Sequence, residues 1–316
     1  MTILSGMRLL RLSSCRIPLT DFTDKLCMNK PKQKPFSAKM KQATLFFAAI
    51  LVAIVNLPAF SSNPDDGLQG TLFDYSLWTK TLSLFVDQNG RIDYQGLLLD
   101  RNDFDQYINA LETIGPVTRP DLFPTKNSQL AYYINAYNAL VFNGVLSRGP
   151  ETSSVWSGLI SGLNFFVRMD VKIDGRITNL KKLEDRIIRK KFKDPRIHAA
   201  LNCASNSCPR LPQAAFLPEK LDQQLNQAMT EFVASDANVL VDEKNHRVFI
   251  SKIFDWFEED FIDFEKDNGN QTPSLIDYIN RFLPANSQIE SHFKIDFLKY
   301  DKGINSQRNN QEPADS

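Results

Sequence analysis

The sequence predicts a single helix-rich α+β domain with a small mixed or antiparallel sheet, on three observations. Apolar residues recur at three- and four-residue spacing through SQLAYYINAYNALVFNGVL, at Leu130, Tyr133, Ile134, Tyr137, Leu140, Val141 and Val145. Two stretches read as hairpins: VKIDGRIT sets Asp174-Gly175 between alternating apolar residues, and NVLVDEKNHRVFIS folds back at its polar middle. No Gly-rich phosphate loop follows any strand signal, so nothing points to a nucleotide fold.

Along the chain, further helices are expected at 75–85, 103–114, 180–191, 218–234, 253–264 and 274–282, and Asn127 or Ser128 can cap the long one. RIHAAL reads as a short strand leading into a polar loop, and the connection 149–164 carries no clear signal. No repeat or low-complexity linker interrupts 70–302, so one domain is expected there. After Gly303 the chain is polar and free of aromatics, the composition of a disordered tail over 303–316.

The N-terminal part differs in kind. Met40 and Lys41 precede an uncharged run from Gln42 through Phe60, then Ser61 and a polar stretch, which together have the order of a signal peptide over 40–61. Residues 1–39 form a basic leader without sustained apolar periodicity, so Met40 is expected to be the true start, with the leader untranslated. The alternative keeps Met1 and makes Ala43 to Phe60 an uncleaved membrane anchor. That segment is broken by Asn56 and Pro58, and a span needs ~20 apolar residues. Either way the domain is expected outside the cytoplasm, periplasmic or extracellular, with membrane contact only through the N-terminal segment.

Met1 to Ser61 holds 9 of the 37 Lys+Arg but only 2 of the 37 Asp+Glu, so the remainder carries 28 against 35, a net charge of −7. An acidic domain has no cationic excess with which to neutralise phosphates, which argues against nucleic acid as a partner. Cys15 and Cys27 belong to the leader, and the domain keeps only Cys203 and Cys208.

Chemistry concentrates in RIHAALNCASNSCPRL, which sets His198, Asn202, Cys203, Ser205 and Cys208 within eleven positions. Three readings of it stand open. Cys203 can be a thiol nucleophile with His198 as its base, the imidazole oriented by Asn135 or Asn138 of the long helix. Cys203 and Cys208 can form a disulfide that shapes the loop, as two cysteines behind an export signal suggest. Zinc on His198, Cys203 and Cys208 is the weakest, because no second Cys or His pair supports it; no metal or cofactor is expected. The tyrosines at 132, 133 and 137 and the aromatics of SKIFDWFEEDF have the spacing of core residues, and Asp255, Glu258, Glu259 and Asp260 that of a solvated helix face.

Three blocks in order, YYINAYNAL at 132–140, RIHAALNCASNSCPRL at 196–211 and SKIFDWFEEDF at 251–261, with a DYQGL-like start at 93–97, resemble the family catalogued as "domain of unknown function 547". The resemblance implies a bacterial protein behind a signal peptide and supplies no reaction. Carried over by position, it points at Asn135, Tyr137 and Asn138, at Arg196, His198, Asn202, Cys203, Ser205 and Cys208, and at Ser251 and Trp256. The ending LKYDKGIN departs from the YDWSLN-like ending of relatives, so no contact of that Trp is carried over. The expected function is a polar site around Cys203 and His198, a thiol-dependent hydrolase or acyl transferase. The alternative is a non-catalytic envelope binding or assembly module with a Cys203–Cys208 disulfide. The partner is expected to be a small molecule or an envelope protein.

Overall fold

The long helix predicted around YYINAYNAL runs over Lys126–Arg148 (α4 in chain order), and 17 of its 23 residues are buried. The computed structural model describes residues 72–149, 151–157 and 162–310. All of them lie within the unit Ser62–Ser316. The basic leader and the export segment lie outside the described residues. A helix buried on every side is an axis rather than an amphipathic cover, so α4 departs from the one-sided stripe that its spacing suggested. Its cap is Thr125, whose hydroxyl accepts from the N–H of Ser128 while the Ser128 hydroxyl accepts from the N–H of Thr125. Ser128 is thus the return half of a capping box instead of the cap. The helix stops at Gly149, whose φ of 97° only glycine adopts without strain.

Around α4 pack α1 (Ser76–Phe85), α2 (Tyr94–Leu99) and α3 (Asn102–Thr113). Trp78 of α1 stacks flat on Tyr107 of α3, with ring centroids 5.6 Å apart, and meets Phe142 of α4 edge-on at 5.3 Å. Burying each such ring contributes about 1.5–3 kcal/mol, so these three helices hold to the axis mainly through their aromatics.

Antiparallel β1 (Val171–Ile173) and β2 (Arg176–Thr178) form the first predicted hairpin. Asp174 and Gly175 take φ of 54° and 71°, the two positive values that a type I′ turn requires. Asp174 is buried and does more than turn the chain. Its carboxylate accepts from the Val117 and Thr118 N–H groups and from the Thr118 hydroxyl, at 2.9 to 3.1 Å. Asp174→Ala removes the hydrogen bonds of a buried carboxylate to donors that water can still reach, and is expected to cost about 1.5–3 kcal/mol in urea unfolding, with Asp174→Asn costing less because one acceptor oxygen remains. An unchanged midpoint for the alanine variant would remove this role.

Residues 180–192 are one helical run whose middle, Leu183–Arg189, is π-helical between α-helical Leu180–Lys182 and Lys190–Phe192. The next segment corrects an expectation: RIHAAL is no strand. Pro195 starts the 3-10 helix Pro195–Ala199, and the Asp194 side chain caps it from outside by accepting from the Arg196 N–H. Proline at the first position and an Asp cap outweigh the apolar alternation of so short a segment. The helix Leu221–Val233 follows as predicted.

A second apolar cluster lies under a three-stranded sheet. β3 (Val239–Asp242) pairs antiparallel with β4 (Arg247–Ile250), and β4 pairs parallel with β5 (Lys294–Phe297), so the sheet is mixed. The fold is therefore helix-rich α+β with small sheets. The helix expected over 253–264 is two, Lys252–Trp256 and Glu258–Asp267, broken at Phe257 (φ −121°, ψ 23°), whose ring turns in to stack on His198 at 4.1 Å. No helix of the described residues is long and apolar enough to cross a membrane.

The polar tail is ordered further than its composition suggested. Ile304, Asn305 and Ser306 are buried, Ser306 bridges Ile92 in parallel and Ile304 bridges Ser205. Asn305 accepts from the Tyr94 hydroxyl and donates to Asn202 Oδ1, both at 3.0 Å. Composition marked these residues as unable to build a core, but they are held by hydrogen bonds to a core already made. Residues 311–316 lie outside the described residues.

Candidate thiol site

Asn202 builds the cysteine loop. Its side-chain oxygen accepts from the Ala204 N–H at 2.9 Å and its amide donates to the Pro209 carbonyl at 3.0 Å. Ala204 is held at φ 63°, a left-handed conformation that an alanine adopts only when its surroundings impose it. That turn directs the N–H groups of Cys203 and Ser205 at Cys208 Sγ, at 3.0 and 3.4 Å. The two sulfurs lie 2.9 Å apart as free thiols, whereas a disulfide would hold them at about 2.05 Å. The Tyr300 hydroxyl reaches both, at 3.3 Å from Cys203 Sγ and 3.4 Å from Cys208 Sγ.

The pair divides its acidity unequally. The hydrogen bond from Cys208, reinforced by Tyr300 and Ser205, holds the Cys203 thiol below its ordinary value against the effect of burial. Burial and the neighbouring Cys203 push Cys208 well above it. The two thiols therefore titrate as a pair rather than independently.

Both thiols open on a cleft of about 650 Å³. Its walls are aromatic: Trp256, 45% exposed, packs on Tyr300 at 4.7 Å and lies 6.4 Å from Trp156. The Trp156 indole N–H donates to Ser205 Oγ at 2.7 Å, which ties the wall to the cysteine loop. On the floor the Tyr137 hydroxyl donates to Glu184 Oε2 at 3.0 Å. Burial pushes Glu184 up to about 7, although the bond from Tyr137 works in the other direction.

His198 lines the same cleft, yet its Nε2 lies 2.7 Å from Asp260 Oδ2 and its ring is stacked on Phe257. The hydrogen bonds of Cys203 Sγ go to Ser205, Cys208 and Tyr300, so the expected Cys203–His198 pair is not formed. Burial lowers His198 more than Asp260 raises it. Burial acts to raise Asp260, but hydrogen bonds from His198 and Arg189 outweigh it and hold the carboxyl at about 2. The imidazole is therefore a neutral donor clamped to a carboxylate rather than a base facing a thiol. Asp260 also leaves the solvated face on which its spacing placed it, for the hydrogen bond from His198 and an ion pair with Arg189.

The asparagines have structural partners. Asn135 donates to the Phe216 carbonyl at 2.7 Å and accepts from the Phe216 N–H at 3.0 Å, so it orients no imidazole. Asn138 donates to the Ala200 carbonyl and accepts from the Asn202 N–H, both at 2.9 Å, and so fastens the cysteine loop to α4. Arg196 stands off the cleft in ion pairs with Asp194 and Asp222. Ser251 caps the helix that carries Trp256.

Of the residues expected from sequence, Cys203, Cys208, His198, Tyr137 and Trp256 meet in one cleft, with Ser205 beside Cys203 and Asn138 and Asn202 behind the loop. Tyr300, Trp156 and Glu184 were not expected. Tyr300 sits in the very ending that departs from relatives, Trp156 in a connection without signal, and Glu184 in a charged helical stretch. Among the described residues, no group of three His, Cys, Asp or Glu is arranged to hold a metal ion.

No curated protein and no solved structure matches the chain. Residues 122–233, from the approach to α4 through the cysteine loop to the helix Leu221–Val233, match the family described as "Protein of unknown function, DUF547". Over that stretch, which includes the first two of the three blocks, the chain resembles the DUF547 family.

Proposed function

We propose that the cleft carries out thiol–disulfide exchange, with Cys203 as the attacking thiol and Cys208 as the resolving one. The observation that carries this reading is the 2.9 Å contact between two free thiols on the cleft, and the lowered Cys203 thiol supports its part as the attacker. The Cys203 thiolate attacks one sulfur of a substrate disulfide, that S–S bond breaks, and the departing substrate sulfur takes a proton. Cys208 then loses its proton and attacks Cys203 Sγ, releasing the second substrate thiol. One substrate disulfide is reduced to two thiols and the protein pair is oxidised to a disulfide, so atoms and electrons balance.

Exchange is favoured over the acyl transfer or hydrolysis considered from sequence, because the nearby N–H groups of Cys203 and Ser205 point at Cys208 Sγ and His198 is bound to Asp260. Acyl transfer needs free donors for an oxyanion and a base on the nucleophile. An exported location, supported by the signal-like segment 40–61, would supply disulfide substrates. The alternative of a loop-shaping disulfide becomes the oxidised state of the same pair.

The test is reaction of the full chain with a small aromatic disulfide, followed by peptide mass mapping. Wild type is expected to finish with a Cys203–Cys208 bridge and no adduct. Cys208→Ser is expected to trap a mixed disulfide on Cys203, and Cys203→Ser to react far more slowly. Stable adducts on the wild-type pair, or no adduct on Cys203 in the Cys208→Ser variant, would overturn the proposal.

A further inference from the structure

Exchange leaves one step without an agent: before Cys208 can resolve the mixed disulfide, its proton must go somewhere. We infer that Glu184 is the proton acceptor for this thiol pair, a positioning and proton-handling residue on the cleft floor that acts together with Tyr137. The inference rests on the exchange reading and adds a residue to it.

Glu184 is the group left when the others on the cleft are placed. Lys181 and Arg189 are both paired with Asp185, and Arg189 with Asp260 as well. His198 is held on Asp260, and burial keeps the hydroxyls of Tyr137 and Tyr300 protonated. Glu184 makes no ion pair among the described residues; its partner is the Tyr137 hydroxyl. A carboxylate on an aromatic floor is costly unless it is paired with a cation, and Glu184 is held there by a neutral hydroxyl. The backbone sets it there through the π-helical segment Leu183–Arg189, an irregularity that recurs at functional sites. Its charge also acts on Cys203, raising that thiol, and the ionisation of Tyr137 is opposed by Glu184 and by both cysteines. Glu184, Tyr137, Cys203 and Cys208 all line the one cleft, so the carboxyl and the thiols share a single solvent-filled space. An acid poised near neutrality can accept a proton at pH 7 and return it to solvent through the open cleft.

Two rates in Glu184→Gln separate this role from a structural one. Formation of the mixed disulfide, followed in the Cys208→Ser background, should change little or quicken, because a negative charge near Cys203 is gone. Resolution by Cys208 should slow about 100-fold at pH 7 and lose the part of its pH profile centred near 7. Glu184→Asp, which keeps a carboxyl, should recover part of that rate. Resolution in Glu184→Gln at the wild-type rate and pH profile, with the Cys203 adduct still forming, would overturn the role of Glu184 and leave exchange standing. Failure of Cys208→Ser to form the adduct would remove both.

Discussion

Asn138→Leu is expected to destabilise the domain by about 2–5 kcal/mol, read as a shift of the urea unfolding midpoint. Leucine has nearly the shape of asparagine, so little cavity is opened. What is lost is two hydrogen bonds, because the Ala200 carbonyl and the Asn202 N–H are both satisfied by the Asn138 amide in a region closed to water. Each buried backbone group left unpaired costs about 1–3 kcal/mol. A domain has only about 5–15 kcal/mol in hand, so the effect should be among the largest from one polar side chain. It should also be felt at the thiols, since Asn202 builds the turn that aims two N–H groups at Cys208. Iodoacetamide labelling of Cys203 and Cys208 should therefore become more nearly equal in this variant. A change of less than about 1 kcal/mol would show that Asn138 does not anchor the loop.

Glu184→Gln is expected to stabilise the protein at pH 8 by about 2 kcal/mol and to leave it unchanged near pH 4.5. The folded carboxyl titrates at about 7, above its ordinary value of 4.5. The folded state therefore binds this proton more tightly than the unfolded one. Below the lower value both states are protonated and nothing is lost; as pH rises through the interval the folded state must give up its advantage, and above about 7 the whole penalty is present. The shift corresponds to about 3.4 kcal/mol, reduced here because Glu184 borders an open cleft. Gln still accepts from Tyr137, so it removes the charge and keeps the bond. Thermal unfolding at the two pH values checks this; equal shifts at both would mean that the carboxylate carries no such penalty. Stabilisation at pH 8 together with slower resolution would mark Glu184 as a group kept for chemistry at a cost in stability.

How much of this was legible follows from which interactions are local. The Asp174-Gly175 turn was readable because two adjacent residues set its backbone. The thiol loop stood out for its density of Asn, Ser and Cys. The strand expected at RIHAAL failed for a local reason as well, since Pro195 and the Asp194 cap outweigh alternation. Asn135 and Asn138 were identifiable as buried polar groups in need of partners, but those partners lie 81 and 62 residues away. Tyr300 comes to the sulfurs from nearly a hundred residues on, after a parallel strand that pairs with β4. Glu184 looks in sequence like one more charge on a solvated helix, and only packing against Tyr137 takes it out of water.

By itself the sequence determined the kind of domain, helix-rich α+β around one long helix, and placed the distinctive chemistry on Cys203 and Cys208, because periodicity, turn residues and clustered polar side chains act over short stretches. The tertiary structure decided what that chemistry faces. It gave His198 to Asp260, brought Tyr300 and Glu184 to the thiol cleft and turned α4 from a covering helix into a buried axis. Each of these depends on contacts between distant segments, and on the removal of water from groups whose acidity then changes.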